Sequence, residues 1–296
     1  MNRFRSRSVR EMTAAYLFLS PAFVFLIIFT AIPSVYALVL SFCKWDLITS
    51  PKFVGLAQWV KAVSSREATT SIGVTLGITM ASAPIALAIG LWLAIMLDKL
   101  PFGKVLFRTA FFAPFVATLT AVSFVWSDLF NTTNGYFNYI LQQIGLPPVG
   151  WLIYPLAAQI SVSVVLIWQS IGFNMLLFLA GLQGIDQTYY EAAVVDGAKG
   201  RDIFWHITLP MLSPTTFFLL INMIIRGFQL YESVFILTAG GPGYSTTTLV
   251  YFIYRAAFKN YNIGLASALS MVLFVLIGIT TMIMWRLQNR MVQYGD

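Results

Sequence analysis

Apolar residues run along this chain in six long blocks, over about 13–41, 70–97, 105–127, 156–183, 214–238 and 264–285, and most charged residues collect between them. Each block meets the ~20 residues that a helix needs to cross the hydrocarbon core of a bilayer. The pattern predicts an all-α polytopic membrane protein with six transmembrane helices in a single domain, residues 1–296. Composition agrees, with 58% hydrophobic and 10% charged residues, where a soluble domain carries about a quarter charged. The first block follows a basic segment, MNRFRSRSVREM, as the core of a secretory leader does. It runs far beyond the ~7–15 apolar residues of such a leader, so it reads as a retained first span.

The net charge of +7 does not point to nucleic acid, because the basic residues sit at the ends of apolar blocks. That placement sets orientation instead. With the N-terminus inside, eleven Lys and Arg fall on inner segments (Arg3, Arg5, Arg7, Arg10, Lys99, Lys104, Arg108, Lys199, Arg201, Arg286, Arg290) and six on longer outer loops. Both termini and segment 184–211 are therefore expected on the cytoplasmic side of the membrane. The single cysteine, Cys43, excludes an internal disulfide and a cysteine-based metal site. In the third outer loop, TAGGPGYSTTT is glycine-rich, but no Gly-Lys-Ser/Thr follows and no strand precedes it, so the chain carries no nucleotide-binding signature.

The spans are not uniformly apolar. Gly73, Gly77 and Ala81 recur every four residues on span two, a ridge that allows close helix approach. Span three carries Thr120, Ser123, Ser127 and Asn131 on one face, and span four carries Gln159, Ser163, Ser170 and Asn174. On span five, Asn222, Arg226, Gln229 and Ser233 fall within about 60° of one another at 100° per residue, with Glu232 on the flank. A mid-membrane charge costs about 2.5–3.5 kcal/mol on insertion scales, so something must compensate Arg226 and Glu232. Hydrogen bonds between packed helices would serve for any one residue; for the stripe as a whole, a lined aqueous path is the expectation.

Segment 184–211 concentrates the remaining chemistry. Asp186 is an N-cap for the helix QTYYEAAVVD, Gly197 supplies a left-handed turn, and a second short helix is expected to close at Pro210. Ala192 and Ala193 keep the surface around Glu191 low, which suits a partner's close approach; an amphipathic helix lying on lipid has the same shape. His206 has no second histidine or carboxylate cluster at ligand spacing.

Glu191-Ala192-Ala193, three residues, Gly197, nine residues, then Ile207-x-Leu209-Pro210 resembles the EAA loop of permease subunits of binding-protein-dependent ABC importers. FVGLAQW at 53–59, FRTAFFAP at 107–114, WQSIGFNMLLFLAGLQGID at 168–186 and LTAGGPGYSTTTLVYFIYRAAF at 237–258 resemble its sugar and glycerol-phosphate branch, relatives of the maltose permeases. The resemblance covers nearly the whole chain. It implies a MetI-like fold in a bacterial or archaeal cytoplasmic membrane, paired with a second permease subunit, two cytoplasmic ATPase subunits and an external solute-binding protein. It implies no cofactor on this chain, since ATP and Mg would be bound by the ATPases. ATPase coupling would fall to Glu191, Ala192, Ala193, Asp196, Gly197, Ile207, Leu209 and Pro210. The solute path would use Asn174, Asn222, Arg226, Gln229 and Glu232. The alternative from a different class is a secondary carrier or channel that uses Arg226 and Glu232 as ion sites.

Overall fold

The computed structural model describes residues 2–291. The side chains of Arg3, Arg5, Arg7, Arg10 and Arg290, on which part of the charge asymmetry rests, lie outside the described set. Four helices are long and apolar enough to cross a membrane: Ala14–Leu40, Arg66–Lys99, Pro155–Gln183 and Ile263–Gln288. Two bent pairs raise the number to six if each is one span: Lys104–Val116 with Leu119–Leu129, bent by 95°, and Gly200–Met211 with Ser213–Phe228, bent by 63°. We number the spans one to six in chain order, with span five beginning at Ser213 and the Gly200–Met211 helix assigned to the segment before it.

Spans two and four form the central axis, packed side by side. Gly90 permits this contact: a Cβ there would lie 2.7 Å from Asn174 Cβ. One apolar cluster gathers Ala86, Leu87, Ala94 and Leu97 of span two with Met175, Phe178 and Leu179 of span four and Leu219 and Met223 of span five. A second joins Val74 and Ile78 to Val162, Val165, Leu230, Val234 and Tyr251. A third packs span six, through Ala268 and Leu269, onto Leu249, Phe252 and Ala256. Methyl-sized residues at these contacts let backbones approach where van der Waals packing drives helix association. Gly227 serves the same purpose against Thr79, whose Cγ2 would be 2.6 Å from an added Cβ.

The Gly73–Gly77–Ala81 ridge does not. No atom lies within 4 Å of a Cβ built at Gly73 or Gly77, and all three residues are exposed, so close approach within this chain falls to Gly90, Gly172 and Gly227 instead. Span one is the least integrated element, exposed at every described position from Ala14 to Thr30. Its π-turn, Ile27–Ala31, ends where the Ile32 N–H bonds to the Ile27 carbonyl, one residue before Pro33. The wider turn relieves the crowding that proline imposes on the preceding helical turn.

Spans three and five are broken rather than continuous. Span three stops at Val116, Ala117 and Thr118 are extended, and the helix restarts at Leu119. Span five ends at Phe228, and a six-residue helix restarts at Glu232. Backbone freed by such breaks must be satisfied by protein or water. Part of it is: Thr248 Oγ1, from the glycine-rich loop 238–248, donates to the Leu230 carbonyl at 2.7 Å, and Gln169 Nε2 donates to the Ala117 carbonyl at 3.4 Å. The end of that loop, 246–249, is thus a buried brace, further tied in by Leu249 N–H donating to Thr75 Oγ1 at 2.8 Å.

Candidate functional site

The two breaks face one another. Between them lies a cavity of about 320 Å³ bordered by Phe115, Ala117 and Leu119 of span three, Leu166 and Gln169 of span four, and Arg226, Gln229, Leu230 and Glu232 of span five. Three of the five residues expected to line a solute path therefore meet at one site. The Arg226 guanidinium lies over the Phe115 ring, 4.5 Å from its centroid, and Phe115 stacks in turn on Phe173 at 4.6 Å and 8°. Arg226 Nη1 is buried without a hydrogen-bond partner, and the one ion pair within 4.0 Å among the described residues joins Arg255 to Glu67. A planar cation held on an aromatic face beside a cavity is preorganised to donate hydrogen bonds to oxygens.

Two candidates take other places. Asn174 is fully buried between spans two and four, with neither amide atom hydrogen-bonded, and so does not line the cavity. Its polar helix face meets Gly90 rather than an aqueous space. Asn222 lies outside the cavity lining, and its Nδ2 donates to the Phe218 carbonyl of its own helix at 3.0 Å. Ser233 is buried on the far side of the break. Gln169, which spacing arguments on span four passed over, belongs to the cavity; its signal was an amide in an apolar run. Trp168 packs edge-on against Trp126, at 5.6 Å and 72°.

Beside the Lys99 end of span two and the Gln183 end of span four, segment 184–211 forms two helices around a tight bend. Asp186 caps Gln187–Val195 by accepting from Thr188 N–H at 2.9 Å. Gly197 sits at φ +79°, the left-handed turn expected from sequence. Ala198 N–H bonds to the Ala193 carbonyl and Gly197 N–H to the Val194 carbonyl, closing the helix with a Schellman motif. The second helix does not end at Pro210. It runs from Gly200 to Met211 through a π-turn, Phe204–Thr208, that closes one residue before the proline, and the chain changes direction at Leu212.

The two helices are tied by Tyr190 Oη to Thr208 Oγ1 at 3.3 Å. Ile207, Leu209 and Pro210 are half-buried against the bundle, whereas Glu191, Ala192 and Asp196 are exposed and Val195 is 86% exposed. The module thus turns one side to the spans and presents a carboxylate, small residues and uncovered valines on the other. His206 Nδ1 bonds to the Asp202 carbonyl at 3.0 Å.

A family model, binding-protein-dependent transport system inner membrane component, matches residues 3–293. The chain belongs to this family. Among curated members, this permease is 34% identical to a probable ABC transporter permease protein, YesP, of Bacillus subtilis, over 98% of the chain and 95% of the relative. It is 34% identical to the sn-glycerol-3-phosphate transport system permease protein UgpA of Agrobacterium fabrum, covering 95% and 96%. Identity to the trehalose/maltose transport system permease protein MalF of Thermococcus litoralis is 33%, covering 90% and 91%. Its fold matches a chain in the crystal structure of a bacterial alginate ABC transporter with TM-score 0.84 and 21% identity, over 98% of this chain and 99% of that one. The membership sets aside an autonomous carrier driven through Arg226 and Glu232.

Proposed function

We propose that this permease forms half of the translocation path for a sugar or sugar-like solute, and that Glu191–Pro210 is the contact through which an ATPase drives it. The observation that carries the reading is the pairing of a cavity at two broken spans with an exposed helix pair beside the Lys99 and Gln183 ends of spans two and four. Relatives named for glycerol phosphate and for trehalose and maltose support the solute class. The path residues are Arg226, Gln229 and Glu232, joined by Gln169. A second permease subunit completes the path, an external binding protein delivers solute, and two ATPase subunits bind ATP and Mg. All assemble in a bacterial or archaeal cytoplasmic membrane, with both termini of this chain cytoplasmic.

Coupling needs a docked surface whose contacts differ between two states of the transporter. The exposed face around Glu191, Ala192 and Asp196 supplies the contact, Gly197 fixes the bend, and Ile207, Leu209 and Pro210 pass displacement to span five. The test is co-purification of the importer carrying Glu191→Lys or Gly197→Pro. Loss of the ATPase, or of transport-linked ATP hydrolysis, is expected. Retained ATPase with unchanged stimulated hydrolysis would remove the coupling role.

A further inference from the structure

Away from the cavity and the helix pair, the hairpin that follows span one has unexplained chemistry. Its strands, Cys43–Lys44 and Lys52–Phe53, pair antiparallel so that Lys44 stands directly opposite Lys52. Like charges at facing positions repel, and neither lysine has an ion-pair or hydrogen-bond partner among the described residues. Asp46, the nearest carboxylate in sequence, is engaged elsewhere: its Oδ1 accepts from the backbone N–H of Ile48 and Thr49 and from the Thr49 hydroxyl, at 3.1, 2.8 and 2.8 Å. Both lysines line a pocket of about 300 Å³, with Trp45 and Asp46 on the hairpin side and Tyr261 and Asn262 opposite. Asn262 Oδ1 accepts from Leu265 N–H, which leaves its amide NH₂ unpaired among the described residues.

Covalent distance fixes the depth of this pocket. Lys44 is four residues beyond the end of span one at Leu40, and Asn262 immediately precedes span six at Ile263, whose N–H donates to the Trp45 carbonyl at 3.0 Å. Both span ends place it at headgroup level, where tryptophan and tyrosine concentrate. Beside it, the hairpin and the turn after it leave Leu47, Ile48, Phe53 and Leu56 uncovered, Ile48 at 91% exposure. Tyr261 in the pocket wall, at φ +50°, and Leu47 in the turn beside it, at φ +69°, are non-glycine residues in the left-handed region, a conformation that gathers at ligand clamps. A soluble anion would use the lysines and leave the apolar collar idle; a phospholipid uses both.

We propose that this pocket binds the phosphate of an anionic phospholipid, with Lys44 and Lys52 on its oxygens and the Leu47–Ile48–Phe53 collar against its chains. Basic residues near a membrane surface contribute roughly fivefold each to anionic-lipid affinity. The test is native mass spectrometry of the delipidated, purified importer titrated with phosphatidylglycerol or phosphatidylcholine. The expected result is one phosphatidylglycerol bound per permease, about 25-fold more weakly in Lys44→Gln/Lys52→Gln, restored in Lys44→Arg/Lys52→Arg, and not displaced by inorganic phosphate. Equal binding by the wild type and the Gln variant would overturn the proposal, as would equal affinity for phosphatidylcholine. Displacement by inorganic phosphate would make it a free-anion site. If the Gln variant keeps its lipid and loses the solute-binding protein, the hairpin is a protein-docking surface and the lipid assignment is wrong.

Discussion

Gly172→Ala is the sharpest test of how the cavity is held. Gly172 faces the first half of span three, and a Cβ there would lie 2.5 Å from the Phe111 carbonyl carbon and 2.9 Å from Phe112 Cα, with the Phe111 oxygen closer still. Ordinary contact begins at 3.4 Å, so the two helices must separate by at least 0.9 Å. Phe115 lies one turn beyond Phe111 and carries both the Phe173 stack and the Arg226 guanidinium. Overpacking of this kind costs about 1–3 kcal/mol. Loosening the cation–ring contact adds roughly 0.5–2 kcal/mol. Thermal unfolding of the purified importer and uptake into proteoliposomes should both fall. Gly278→Ala, with no atom within 4 Å of the new methyl, is the control and should be neutral or slightly stabilising, within about 1 kcal/mol. A Gly172→Ala importer with wild-type stability and uptake would refute the close approach and the support it gives Arg226.

Arg226→Gln should lower solute uptake by about 10- to 100-fold, the worth of one charge-assisted hydrogen bond, while the permease pair still co-purifies; unchanged uptake removes Arg226 from the path. Gly197→Ala, forced into the left-handed region, should cost about 1–2 kcal/mol locally and weaken ATPase association more than Gly200→Ala does, measured by pull-down of the assembled complex. Asp186 is held below its ordinary carboxyl pKa of 3.8 first by the Thr188 N–H and then by the Thr188 hydroxyl. The part of its cap that depends on the charge is therefore complete above that value and lost as pH falls through the lowered one. Amide exchange at Thr188–Tyr190, corrected for intrinsic rate, should stay protected from pH 7 to about pH 5. It should lose protection at all pH values in Asp186→Ala, and Asp186→Asn should retain it.

Local punctuation was readable in the sequence because its causes are local. Asp186 caps and Gly197 turns as their side-chain chemistry requires, and the apolar blocks fall on helices. The breaks in spans three and five were not readable: Ala117–Thr118 and Gln229–Tyr231 hold neither glycine nor proline. They exist because Thr248 and Gln169, distant in sequence, satisfy the carbonyls that a break exposes. Helical spacing placed Asn174 and Arg226 on polar faces, yet only Arg226 meets the cavity. A wheel gives the direction of a face and not what stands opposite, and opposite Asn174 stands Gly90. Pro210 failed as a helix stop for a comparable reason, since the π-turn before it makes room for the ring.

The helix pair at Glu191–Pro210, as the seat of an ATPase, is what the proposed coupling depends on. Val195, 86% exposed on that pair, offers a direct probe through a photo-crosslinking amino acid at position 195 in the fully assembled importer. The expected result is a crosslink to the ATPase subunit whose yield changes on ATP addition, and none from the same probe at Val60, in the loop between spans one and two. Crosslinking at 195 to lipid alone, or an ATPase crosslink from position 60, would contradict it.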